Sequence, residues 1–385
     1  MTDSRARRLA FATIANFAFF VGVTAFFTLP VRLQALNASR AEIGRVMGVF
    51  GLASLFAIPA TGALVDRYGR RPFVIAGCVV WSLVALLFAR VETMSAWPYA
   101  LRFLHGLSFS LVFVSTNALI VELAPPGGLG RAIAVFGTTT LAAHAVGPSV
   151  GEWVAHRWGF ALLFSVAGAF GVLALFGFLR AGDSGAVAAD ADAEPIGMAR
   201  LALRRGGRGV LLGGLSTALA FGAAINFVPV FVRARGLPSH APFFIAYVVS
   251  AVGVRLFAGG LGDRVGHRRV GIVAALLFSV AVASLGAVHG VGLLVLLALI
   301  FGAGHGFAYP SMNALFVQDA PPWARGRAMA LFNLAFNIGM TLAAFLAGEL
   351  SERFGYGVMF GVLGAAASLG ALAVALDRPI ASDPA

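Results

Sequence analysis

Runs of about twenty apolar residues recur from one end of the chain to the other, and most charged residues fall in the stretches between them. A helix of that length crosses a hydrocarbon core of about 30 Å. Bounded by charges, Gly or Pro, twelve such runs are read at roughly 9–31, 42–65, 72–90, 96–121, 131–153, 158–180, 208–232, 241–262, 270–288, 291–317, 327–349 and 356–376. Backbone groups in lipid must be paired within their own segment, so each run predicts a spanning helix and leaves no length for a soluble domain. The first run exceeds a typical signal-peptide core and shows no small-residue cleavage site, so it reads as an uncleaved first helix.

The pattern repeats. "GALVDRYGRRP" at 62–72 returns as "GGLGDRVGHRR" at 259–269, with Asp66 and Asp263 heading the two copies. "NALIVELAP" (117–125) aligns with "NALFVQDAP" (313–321), "GRAIAVF" with "GRAMALF", and Gly151-Glu152 with Gly348-Glu349, all at an offset of 196 or 197. A duplicated six-helix unit follows, with bundles at 1–180 and 208–385. Residues 181–207 form a linker whose acidic first part gives way to Arg; it reads as a solvated connector or as a segment lying on anionic headgroups.

Composition sharpens this picture: 59% hydrophobic, 11% charged, mean hydropathy +0.90. The net charge of +12 comes from 28 Arg and no Lys, scattered singly between spans, which fits topology and not nucleic acid. Most lie on the side of the N-terminus, including Arg5, Arg67, Arg70, Arg204, Arg268 and Arg378. Positive-inside bias then places both termini in the cytoplasm of a multi-pass inner-membrane protein. The one cysteine, Cys78, falls inside the third span, so no disulfide, thiolate cluster or other metal site is expected, and no cofactor.

The two charged turns read as a latch. Asp66 sits where it could face a helix N-terminus of the other half, and Arg70 and Arg71 where they could reach Glu122. Such contacts would hold in one conformational state. Gly62, Arg67 and Gly69 complete the first copy, and Asp263 and Arg264 carry the second. In the fifth span Gly147 and Gly151 flank Pro148, which permits close helix approach and a bend, as would plain packing.

These motifs resemble the major facilitator superfamily of transporters over essentially the full length, and in particular its proton-driven efflux members. "GALVDRYGRRP" resembles the superfamily's loop signature between helices 2 and 3, "RFLHG" (Arg102, Gly106) its helix 4 signature associated with proton coupling, and "HAVGPSVGE" its helix 5 exporter signature, with Ala143 and Glu152 in place of two Gly. The resemblance implies an all-α integral membrane fold of twelve helices in two pseudo-symmetric six-helix bundles, with a cavity lined by helices 1, 4, 7 and 10.

Ionisable groups at membrane depth mark function. Arg102, His105, His144, Arg255 and His305 fall inside spans, whereas all 16 acidic residues map to loops or helix ends. Asn16, Asn226, Tyr309 and Asn313 add neutral hydrogen-bonding groups. Asn16, Arg102, Asn226, Arg255, His305, Tyr309 and Asn313 are therefore the expected substrate contacts, and Arg102 with His105 or His144 the expected proton-coupling groups. The missing mid-membrane carboxylate favours an anionic, zwitterionic or neutral polar cargo. No HExxH, paired acid or Ser-centred motif suggests an enzyme. The expected activity is export of a small organic solute by proton antiport through alternating access, with proton-coupled uptake or uniport as the alternative. The expected partners are the solute, protons and the bilayer, with the protein a monomer.

Overall fold

The structure is a computed structural model that describes residues 2–125, 127–182, 198–204, 206–321 and 324–377. Among these residues the ordered elements are helices: α1 (Thr2–Ala25), α2 (Leu29–Ala35), α3 (Arg40–Tyr68), α4 (Arg71–Phe88), α5 (Ala96–Leu123), α6 (Leu129–Trp158), α7 (Phe160–Ala181), α8 (Met198–Leu203), α9 (Gly207–Ala234), α10 (Ala241–Ala258), α11 (Leu261–Val265), α12 (His267–Ser284), α13 (Val291–Gln318) and α14 (Arg325–Leu376). A 3₁₀ turn, Phe26–Thr28, joins α1 to α2, where Pro30 near the start of α2 withholds a backbone donor. The first span is thus one apolar rod from Arg5 to Ala35.

Eleven of the described helices are long and apolar enough to cross a membrane. The eleventh and twelfth expected spans both lie within the 52-residue α14, where Gly355 alone leaves helical geometry, at φ 82° and ψ 169°. The chain turns there without a loop, because glycine pays no Cβ penalty at positive φ. The expected eighth span, 241–262, ends four residues early at Ala258, and after a turn at Gly259 and Gly260 the separate α11 begins at Leu261.

The chain divides into two compact units: residues 1–39, 45–189 and 239–245 in one, and 40–44, 190–238 and 246–385 in the other. Each unit so includes the first turn of a helix whose remainder belongs to its companion. Most of the expected linker, 183–197, lies outside the described residues.

In the first unit α1 packs on α6 and α7, and α4 on α5 and α7. Its core is aromatic: Phe19, Phe26, Trp81, Phe88 and Phe164 are fully buried. In the second, α9 packs on α14, and α12 on α13 and α14, around Phe278, Phe301, Met312, Phe316 and Phe332. Outward faces stay apolar, with Phe56, Leu83, Phe257 and Leu369 exposed, as lipid-facing surfaces require.

The duplication is visible in backbone geometry. A Cβ on Gly106 of α5 would lie 2.3 Å from the Phe50 carbonyl oxygen of α3, and one on Gly302 of α13 would lie 2.3 Å from the Tyr247 carbonyl oxygen of α10. These positions are 196 and 197 apart, so the same close crossing is built in each unit. Guanidinium groups also close helix ends: Arg5 donates to the carbonyls of Glu122 and Leu123 at the end of α5, and Arg8 donates to Ala181 at the end of α7 at 2.5 Å. Arginine at these places therefore satisfies last-turn carbonyls as well as carrying topological charge.

Candidate transport site

In the first unit Arg102 is 5% exposed. Its guanidinium lies over the Phe50 ring at 4.5 Å and the Phe26 ring at 5.9 Å, Nε has no hydrogen-bond partner, and no carboxylate pairs with it among the described residues. Cation–π contact takes the place of a counter-ion.

His105, one turn on, is fully buried. Its ring lies parallel to Trp81 at 4.0 Å, edge-on to Phe26 at 4.6 Å and against Phe88 at 5.5 Å. Nε2 lies 3.3 Å from the Trp81 carbonyl oxygen, so that nitrogen carries the hydrogen. Arg102 and His105 do meet, around Phe26, but His105 is closed off from solvent by the rings of Trp81 and Phe88 on α4 and of Phe26 in the 3₁₀ turn.

His144 is only half-buried. Its Nδ1 lies 3.0 Å from the Thr140 carbonyl oxygen, its ring is tilted on Phe27 at 5.5 Å, and Asn16 of α1 donates to Thr140 Oγ1 at 2.9 Å. Just beyond, α1 and α6 are in their closest contact: a Cβ on Gly147 would sit 2.0 Å from Thr24 Oγ1, and one on Gly151 3.1 Å from Thr28 Oγ1. Thr24 donates to the Ala143 carbonyl at 2.6 Å, and α6 stays helical across Pro148. The two glycines therefore serve approach.

In the second unit His305 stacks on Phe221 of α9 at 4.3 Å, with the Tyr247 hydroxyl 3.5 Å from its Nδ1. Tyr309 donates to Asn333 of α14 at 2.6 Å, and Arg255 of α10 donates to the Gly306 carbonyl at 3.4 Å. Three helices, α10, α13 and α14, thus bring Arg255, His305, Tyr309 and Asn333 together, with Phe221 of α9 stacked on His305. Asn226 donates within its own helix to the Gly222 carbonyl at 2.8 Å, and Asn313 is half-buried with Oδ1 unpartnered.

At the charged turn, Arg70 is ion-paired with Glu122, whereas Arg71, Asp66 and Arg67 are exposed and Gly62 has open space around it. In the second copy His267 takes the partner's place, with Nε2 3.2 Å from Asp263 Oδ1, and Arg264 is exposed. The paired glycines have a backbone cause: Gly69 and Gly266 adopt φ of 81° and 99°.

Sequence reasoning passed over one cluster. Glu152, which departs from the helix 5 signature, accepts hydrogen bonds from Ser239 Oγ at 2.7 Å and from the backbone N–H groups of His240 at 3.0 Å and Ala241 at 2.9 Å. Only the departure itself hinted at it.

The family model described as Major Facilitator Superfamily matches residues 9–255 and 243–384. The chain belongs to the major facilitator superfamily. Among relatives of this superfamily member, a multi-drug resistance efflux pump PmrA homolog of Lactococcus lactis is 26% identical over 349 residues, 84% of each chain. The multidrug resistance protein MdtG of Klebsiella pneumoniae is 23% identical over 389 residues, 96% of this chain and 92% of that one. Among solved structures, the nucleoside transporter NupG superposes with a TM-score of 0.81 at 16% identity, over 96% of this chain and 99% of that one. The major facilitator chain is accordingly a multi-pass membrane transporter.

Proposed function

We propose that the protein exports a small organic solute across the inner membrane in exchange for protons, by alternating access, with both termini cytoplasmic. The observation that carries this reading is His144. It is half-buried and titratable, linked through Thr140 to Asn16, and set one turn before the glycines that hold α6 against α1. A group that takes up and releases protons needs contact with water in some state. His105 has none here, so His144 takes the proton role in this proposal and Arg102 a positioning role over the Phe26 and Phe50 rings. Relatives named as multidrug efflux pumps support the outward direction.

The acidic side chains of the described residues lie in loops or within about two turns of a helix end or of the break at Gly355, so the solute class proposed is neutral, zwitterionic or anionic, with Arg255, His305, Tyr309 and Asn333 as its contacts in the second unit. The test is a pH jump across proteoliposomes holding the purified protein, with a panel of metabolites and drugs. Solute movement against an inward proton gradient that is lost in His144→Gln supports the reading. Solute and protons moving in the same direction would replace it with symport.

A further inference from the structure

Glu152 and its neighbours form a second polar cluster. The carboxylate holds the first turn of α10 with both oxygens: Oε1 faces the His240 N–H and His240 Nδ1, each at 3.0 Å, and Oε2 faces the Ser239 hydroxyl at 2.7 Å and the Ala241 N–H at 2.9 Å. A negative group that binds the free N–H groups of a helix start is favoured by both hydrogen bonding and the helix dipole. His240 is 3% exposed, with its ring edge-on to Phe244 at 5.9 Å. Because a carboxylate only accepts, Nδ1 carries the hydrogen, and Nε2 is buried with no partner. A buried nitrogen with a free lone pair beside a carboxylate is a site for one proton. The neighbouring charged groups, His156 and Arg157 on α6 and Arg233 and Arg235 at the end of α9, are exposed.

The other unit contains a similar grip without the titratable group. Glu352 Oε2 accepts from the Arg40 N–H at 2.7 Å, the first residue of α3, while the Arg40 guanidinium donates to the Ser351 carbonyl at 2.6 Å and lies over the Tyr356 ring at 4.4 Å. Arginine stays charged at every working pH. Of these two grips, only that of Glu152 contains a histidine, the side chain that ordinarily changes charge near neutral pH.

We propose that Glu152 and His240 form a proton-binding site whose occupancy tightens the hold of α6 on the first turn of α10. With neutral His240 the contact is a hydrogen bond; with a proton on Nε2 it becomes an ion pair in a largely buried setting. The tighter hold and protonation then favour each other equally, as linkage demands. The place of this site in transport, as the point where protons bias one conformational state, rests on the exporter reading above.

Hydrogen exchange of residues 237–246 in the full-length protein, normalised to intrinsic exchange rates between pH 8 and 6, reads the grip directly. Wild-type protection should rise several-fold as pH falls, with a ceiling of about tenfold per pH unit for one linked proton. His240→Gln should keep the protection and lose the pH slope, since its amide still donates. Glu152→Gln should lower protection at every pH, and Ser239→Ala should lower it modestly with the slope intact. A slope that survives in His240→Gln, or protection unchanged in Glu152→Gln, overturns the proposal. If proteoliposome transport proves independent of the proton gradient while the slope and its loss in His240→Gln persist, the exporter reading falls and the proton site stands; proton-driven transport with a flat wild-type slope does the reverse.

Discussion

Gly106→Ala tests the tightest link between sequence and site. The added methyl would stand 2.3 Å from the Phe50 carbonyl oxygen and 2.7 Å from Ala53 Cβ, both on α3 and neither at the end of a flexible side chain. Ordinary contact needs more than a further ångström, so the two helices must part. Overpacking of this kind costs about 1–3 kcal/mol, offset by up to about 1 kcal/mol from replacing glycine inside a helix. Net destabilisation of up to about 2 kcal/mol follows. The separation would also stretch the Ser54 hydroxyl bond to the Gly106 carbonyl, now 3.1 Å, and draw Phe50 off Arg102. That is a physical reason for an Arg and a Gly one turn apart in this motif. Gly302→Ala should behave alike, against the Tyr247 carbonyl oxygen and Ser250 Cβ, and the two losses should add because the sites share no partners. Gly137→Ala in α6, with nothing within 4 Å, should instead stabilise. The sole cysteine, Cys78, is fully buried, so its reaction with a maleimide on heating reports unfolding. A Gly106→Ala protein as heat-stable as wild type, or shifted upward like Gly137→Ala, would refute the reasoning.

Three further outcomes are expected. Asp66→Asn should leave the heat stability of the protein intact and slow turnover in proteoliposomes, since an exposed carboxylate of the charged turn contributes little to folding and couplings between conformational states run at about 1–3 kcal/mol. Asp377→Ala should destabilise by about 1 kcal/mol, because the carboxylate binds the N–H groups of Gly206 at 3.0 Å and Gly209 at 2.7 Å at the start of α9; although burial pushes its carboxyl up, those bonds and Arg208 and Arg268 hold it below 3.8, so the wild-type advantage, read by thermal unfolding, should be full above that pH and fade as pH falls below it. A cysteine introduced at Ala188 should resist membrane-impermeant maleimide in intact cells, and labelling from outside would reverse the proposed topology.

The spans were legible because apolar length is a direct consequence of bilayer thickness, and the duplication because its offset survives in loops that must keep glycine. Gly69 and Gly266 stand 197 apart for a reason visible only in the backbone, their positive φ. What sequence did not disclose is partnership. Glu152 meets a residue 88 positions away, and nothing in "VGE" announces that its carboxylate caps another helix. The merging of two spans across Gly355 was equally hidden, since a hydrophobic run interrupted by "ERFGYG" reads as two helices with a loop. That Arg102 and His105 fall inside a span was legible, but their burial depended on rings of Phe26, Trp81 and Phe88 that sequence does not bring together.

The repeat itself bears on His105. At the offsets of 196 and 197, His105 corresponds to Phe301 and its stacking partner Trp81 to Phe278, a pair 4.7 Å apart in the second unit. The other unit's histidine, His305, corresponds to Phe109, which packs on Phe19, Phe50 and Phe113. Each unit therefore fills the same two ring positions, one with His and the other with Phe, in opposite order. A position that a phenyl ring occupies in the copy is shaped by packing, and His105 meets that demand with three aromatic contacts. His105→Phe should accordingly fold with stability close to wild type and keep the pH dependence of transport, whereas His105→Ala, which leaves a hole among Trp81, Phe26 and Phe88, should lose about 3 kcal/mol, the scale of truncating a buried ring. Thermal unfolding and a pH profile of proteoliposome transport separate the two effects. If His105→Phe is as stable as wild type but its transport no longer depends on the proton gradient, the imidazole is there for its proton, and the coupling role assigned to His144 must return to helix α5.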